Sequence, residues 1–198
     1  HWFLLHLGRL RGLLRVLRRG PLNRCIQLLL PVSDLFTTLY PMRHRFPDGF
    51  KGSGMKIGVP KEIKNHEYRV GMTPAAVHEL CGHGHSVCVE TNAGAAIGFT
   101  DDDYVKAGAE ILENGTAVFE AADMIVKVKE PQAEERALLK SGQTLFTYLH
   151  LAPDQAQTDD LVASGATCIA YETVTDSHGR LPLLAPMSEV AGRMSIQA

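Results

Sequence analysis

From residue 56 to residue 174 the chain alternates short β-rich apolar runs with segments whose apolar positions recur at helical spacing. The runs KIGVP (56–60), HSVCVET (85–91), EILE (110–113), DMIVKVKEP (123–131), QTLFTYLH (143–150) and TCIAYETV (167–174) read as strands. Between them, TPAAVHEL (73–80), TDDDYVKAGA (100–109), GTAVFEAA (115–122), AEERALLK (133–140) and PDQAQTDDLVAS (153–164) read as helices. Thr73 and Thr100 are predicted N-caps, whose hydroxyls can accept from free amides of the first turn, and Pro74 suits the first helical position. Repeated βα units with short links predict an α/β fold, a parallel sheet covered by helices on both faces.

The run ADMIVKVKEP departs from this pattern, with Lys127 and Lys129 where a covered strand should be apolar. Strict alternation puts Ile125, Lys127 and Lys129 on one face and Met124, Val126 and Val128 on the other. A buried lysine is costly unless it finds a partner or an opening. Open parallel sheets bind ligands beyond the carboxyl ends of their strands. Lys129 lies at such an end, His150 at another, and Arg69 in the loop after the first strand. Arginine can clamp a carboxylate with two parallel hydrogen bonds, lysine can polarise a carbonyl, and histidine exchanges a proton near neutral pH. The set suits a small 2-oxo acid. Spacing alone also allows three unrelated surface charges, because no close sequence motif joins them.

Charge divides the 198 residues sharply. Residues 1–54 carry eight arginines and Lys51 against Asp34 and Asp48, a balance of +7, and the remainder carries −9. The leader has no acidic residue before Asp34 and no initiator methionine, and its Leu/Arg mixture superficially resembles a mitochondrial presequence. Residues 1–54 are therefore expected to be an atypical basic leader apart from the fold, with the ordered pattern starting at Met55. No apolar run is long enough to span a bilayer, which points away from a membrane. The acidic body argues against nucleic acid as a partner. Cys25, Cys81, Cys88 and Cys168 lack the paired spacing of a disulfide scaffold, so a cytoplasmic location is expected.

Two further clusters carry less. HELCGHGHSVC (78–88) crosses a helix end, a glycine turn and a strand start, a spacing unlike regular metal motifs, so no metal is expected. Gly82-His83-Gly84 precedes a strand where a dinucleotide fingerprint would follow one, and NAGAAIGF (92–99) has neither G-x-G-x-x-G nor a P-loop lysine.

MKIGVPKEIKNHEYRVGMTP, IVKVKEP, LFTYLHLAP, IAYETV and LPLLAPMSEVAGRMSIQA together resemble the N-terminal part of bacterial alanine dehydrogenase, in the alanine dehydrogenase/pyridine nucleotide transhydrogenase family. The resemblance runs from Met55 to Ala198. It implies a Rossmann-like parallel sheet forming the substrate domain of a two-domain dehydrogenase. It also implies NAD as cofactor, L-alanine, pyruvate and ammonium as reactants, and a homo-oligomer, a hexamer in the family. Matched motif by motif, Arg69 would pair with the substrate carboxylate, Lys129 would hold the carboxylate and carbonyl oxygen, and His150 would be the acid/base group. Ser188 would contact the nicotinamide cofactor, with Met187 beside it. Lys127 would support the strand edge or neutralise nearby acids, and its replacement should be far milder than that of Lys129. The family's glycine-rich loop and further catalytic aspartate have no counterpart in these residues, so the chain is expected to be a truncated domain, 55–198, ending in the interdomain helix and inactive alone. The related transhydrogenase N-terminal portion and a non-catalytic assembly module are the competing expectations; LHLAP with its histidine favours the first reading.

Overall fold

A computed structural model describes residues 54–196; the expectations for the basic leader up to residue 53 lie outside the described residues. The strands are β1 (Lys56–Val59), β2 (Ser86–Glu90), β3 (Glu110–Leu112), β4 (Met124–Val126), β5 (Thr144–Thr147) and β6 (Thr167–Ala170). The α-helices are α1 (Pro74–Gly82), α2 (Asp101–Lys106), α3 (Gly115–Ala121), α4 (Ala133–Arg136), α5 (Gln155–Ser164) and α6 (Ala185–Met194). Short 3-10 turns occupy Ala95–Ile97 and Tyr171–Thr173. Thr73 caps α1 by accepting from the Ala76 amide, and Thr100 forms a reciprocal capping box with Asp103 at α2.

All strand pairs are parallel, in the order β3-β2-β1-β4-β5-β6. This is the order of a doubly wound dinucleotide-binding sheet, and its direction reverses between β1 and β4. Two apolar layers sandwich the sheet. Val118 and Phe119 of α3 and Leu161 of α5 pack with Cys88, Ile125, Leu145 and Cys168 on one side. On the other, Val77 of α1 and Tyr104 of α2 pack with Ile57, Val59, Val87, Val89 and Val126. Ile125 and Val126 fall in opposite layers, as a period of two requires.

Two glycines mark close approaches. At Gly58 in β1 a Cβ would meet Val118 at 2.7 Å and Ala122 at 2.8 Å, so α3 lies directly on the strand. At Gly71, in the long loop between β1 and α1, a Cβ would stand 2.5 Å from the carbonyl oxygen of Val126, the last residue of β4. That contact lays the loop carrying Arg69 across the switch point. Gly71→Ala should therefore destabilise the protein by about 1–3 kcal/mol, because backbone must move to admit the methyl group. Urea unfolding followed by circular dichroism measures it; an unchanged midpoint would mean that the loop does not need this approach.

Several elements differ from their sequence-based bounds, among them α4, which stops at Arg136 where the pattern runs to residue 140. β4 stops at Val126, so the alternation expected through Lys129 ends before either lysine, and β5 stops at Thr147, short of His150. β6 ends at Ala170 and gives way to a 3-10 turn. The C-terminal helix begins at Ala185 and takes Pro186 into its first turn, where a missing amide costs nothing. That helix buries none of its residues, and Val190 and Met194 are exposed. Among the described residues no helix is long and apolar enough to cross a membrane.

Candidate active site

The carboxyl ends of β1, β4, β5 and β6 lie level, with Gly58 beside Ile125, Val126 beside Phe146, and Thr147 beside Ala170. Beyond these ends the chain leaves the ladder, and side chains take over its hydrogen bonding. The Val128 amide donates to Glu62 Oε1 at 2.6 Å, and the Val128 carbonyl accepts from the Tyr171 hydroxyl at 2.7 Å. The Lys129 amide also points to Glu62 Oε1, at 3.4 Å, and the Lys129 carbonyl accepts from Thr147 Oγ1 at 2.7 Å. Burial pushes the Tyr171 hydroxyl up to about 12, so it remains a donor.

The two lysines part company here. Lys127 is fully buried, and its ammonium pairs with Glu135 at 2.6 Å and Glu62 at 3.2 Å. It neutralises acids in the interior. Lys129 is half-buried, and its ammonium stands 4.9 Å from the centre of the Tyr148 ring, within cation–π range. His150 stacks on the same ring, with centroids 5.7 Å apart and planes inclined by 23°. Its Nδ1 is 3.5 Å from the Tyr148 hydroxyl. A single tyrosine thus links the predicted ammonium to the predicted imidazole.

His150 adopts φ +48°, a left-handed conformation uncommon outside glycine. Glu172 holds it there by accepting from the amides of Leu149 at 3.1 Å and His150 at 2.9 Å. Gln157 in α5 secures the same turn by donating to the Leu149 carbonyl at 2.6 Å. The imidazole itself is exposed.

Arg69 is exposed and forms a two-pronged pair with Glu67, Nε to Oε1 at 2.8 Å and Nη2 to Oε2 at 2.5 Å. Its Nη1 approaches Met187 Sδ at 3.8 Å, bringing the β1–α1 loop against α6. The Glu67 carboxyl is held below its usual range by its hydrogen bonds to Arg69, with the charge of Lys129 contributing. Ser188 adjoins the half-buried Met187 on α6 and is exposed.

The structure joins Lys129 to His150 through Tyr148, and Arg69 to Met187. Sequence reasoning passed over Tyr148, Tyr171, Glu172, Glu62 and Glu67. Glu67 was legible as an acid two positions before an arginine, and Tyr148 as an aromatic two positions before the histidine. Glu62 and Glu172 act on residues 66 and 23 positions away, which no local spacing reveals.

Met187 meets the Arg69 guanidinium, and the connection after β1 is a long loop, without the tight glycine turn and helix N-terminus that cradle a pyrophosphate. Two histidines of 78–88 and one cysteine are engaged separately. His83 Nδ1 lies 2.8 Å from the Glu79 carbonyl, His85 accepts from the Met55 amide at 3.3 Å, and Cys88 is in the core.

The family described as "Alanine dehydrogenase/PNT, N-terminal domain" matches residues 58–191. An alanine dehydrogenase of Halomonas elongata is 60% identical over 144 residues, which are 73% of this chain and 39% of that protein. A solved structure named L-alanine dehydrogenase superposes with a TM-score of 0.70 at 51% identity, over 72% of this chain and 39% of that one. A transhydrogenase structure from Sinorhizobium meliloti gives a TM-score of 0.56 at 29% identity, over 59% of this chain and 35% of the other.

Proposed function

Given that the chain belongs to the alanine dehydrogenase/PNT N-terminal domain family, we propose that residues 55–198 form the substrate-binding part of an NAD-dependent alanine dehydrogenase. The overall reaction is L-alanine, NAD+ and water giving pyruvate, ammonium, NADH and a proton. The observation that carries this reading is the Lys129–Tyr148–His150 stack at the strand ends, with the Arg69 guanidinium on the loop that crosses them. Arg69 takes the substrate carboxylate, exchanging or sharing its fork with Glu67. Lys129 donates to the carboxylate and to the carbonyl oxygen, drawing electron density from the reacting carbon. His150 moves the proton at that oxygen, giving it up as water leaves and taking it back as water adds. Nicotinamide, when bound, supplies the hydride exchange, and Met187 and Ser188 face it. The whole protein would work as a homo-oligomer in the cytoplasm. A transhydrogenase role leaves the His150–Tyr148 pair without work.

Oxalate, a planar mimic of a 2-oxo acid, tests this reading on the chain itself. Added to the 198-residue protein, it should shift the amide NMR signals of Lys129 and His150. Arg69→Met and Lys129→Met should each weaken it about tenfold, as expected for losing a charged hydrogen bond. A chain starting at Met55 should bind it equally well. Undiminished binding in both variants would remove the site from these residues.

A further inference from the structure

Lys129 lies three residues past the end of its strand, where a lysine side chain would ordinarily sample many rotamers. Its backbone nevertheless has a partner at each group, Glu62 at the amide and Thr147 at the carbonyl. One carboxylate oxygen of Glu62 accepts from the Val128 amide and faces the Lys129 amide; the other takes the Lys127 ammonium. Lys127 passes the restraint on to Glu135, whose second oxygen accepts from the Gln132 amide at 2.8 Å. The Glu62 side chain is 2% exposed, so these bonds form without competition from water. Glu62 itself follows β1, on the other side of the switch point. A carboxylate from one strand end thus holds the backbone that departs from its neighbour.

We propose that Glu62 is a positioning residue that fixes the direction of the Lys129 ammonium, by clamping the Val128 and Lys129 amides while anchored on Lys127. This rests on the reading of Lys129 as a substrate-binding group, but its geometry can be tested without substrate. Glu62 does not touch the crevice. It acts through the two amides, so the Lys129 ammonium comes to stand over Tyr148. The buried acid also explains why two lysines occur in one short run: Lys127 secures the clamp that aims Lys129.

The Lys129 side chain reports its own position. Held near the face of Tyr148, its terminal methylene protons should resonate upfield of those of the other lysines, and Tyr148→Leu should abolish that displacement. Glu62→Gln keeps the volume of the side chain but presents an amide to Lys127, and Glu62→Ala removes the clamp altogether. Both should collapse the upfield displacement, and Glu62→Gln should weaken oxalate binding about tenfold. In a Lys129→Met background the further loss from Glu62→Gln should vanish, because Glu62 has no other route to the ligand. An unaltered Lys129 signal in Glu62→Gln would overturn the proposal, as would an equal oxalate loss with and without Lys129. If the unchanged chain fails to bind oxalate, the 2-oxo-acid reading falls, while the Lys129 signal still decides the role of Glu62.

Discussion

Lys127→Met should lower the free energy of unfolding by roughly 3–5 kcal/mol, the usual cost of removing one partner from a buried ionic group. Lys129→Met should change it by less than about 1 kcal/mol, since that side chain is only half-buried and has no ion pair among the described residues. Lys127 is the only cation contacting the Glu62 and Glu135 carboxylates among the described ion pairs, and all three side chains are buried. Without it, two acids face each other in a medium that solvates neither. The sequence pattern predicts that replacing Lys127 is the milder of the two for turnover, a separate readout. For stability the order should reverse, because Lys127 carries the buried pairs.

The pH dependence of that deficit separates loss of a charge from loss of packing. Burial already holds the Glu62 carboxyl above its ordinary value of 4.5, opposed chiefly by Lys127 and then by the Val128 amide. A carboxyl raised in this way binds its proton more tightly when folded. Its contribution to stability is full below 4.5 and is lost as pH rises through the folded value. Deleting Lys127 removes the main influence opposing burial, so the folded value climbs further and the window widens upward. The deficit of Lys127→Met, measured by urea unfolding, should be largest at neutral pH and shrink on acidification. A deficit independent of pH would mean that Lys127 contributes by filling space.

What the sequence made legible follows from the range of the forces involved. Alternating apolar runs announced the parallel sheet, and Thr73 and Thr100 announced helix starts, because periodicity and capping act over a few residues. The sequence pattern runs past the strand ends where the chain stays extended but leaves the ladder. Val128 and Lys129 look like strand, yet their partners are Glu62, Tyr171 and Thr147, supplied from three different strand ends. Leu149 and His150 look like strand as well, and Glu172 takes their amides. Arg69, Lys129 and His150 were singled out because charge at a strand end is conspicuous. The acids that position them were not, since a buried glutamate and a surface glutamate are identical in sequence.

Exchanging residues 55–198 for the matching 144 residues of the Halomonas elongata alanine dehydrogenase should yield an enzyme that oxidises NADH with pyruvate and ammonium. At 60% identity the interfaces with the rest of that protein should be largely kept. In the chimaera, His150→Ala should lower kcat by about 10²–10⁴-fold, the range lost with a positioned acid/base group. Arg69→Met should act mainly on KM for pyruvate, because a carboxylate clamp serves ground state and transition state alike. Lys129→Met should lower both kcat and kcat/KM, since its bond to the carbonyl oxygen strengthens as charge develops there. The 198-residue chain by itself should show no turnover. It spans 39% of that relative, and holding hydride donor and acceptor in register accounts for about 7–11 kcal/mol of such a barrier. On the proposed roles, clamp and proton donor without that register should bind the acid and leave it unreduced. Full activity in a chimaera carrying His150→Ala, or steady NADH oxidation by the chain alone, would overturn these roles.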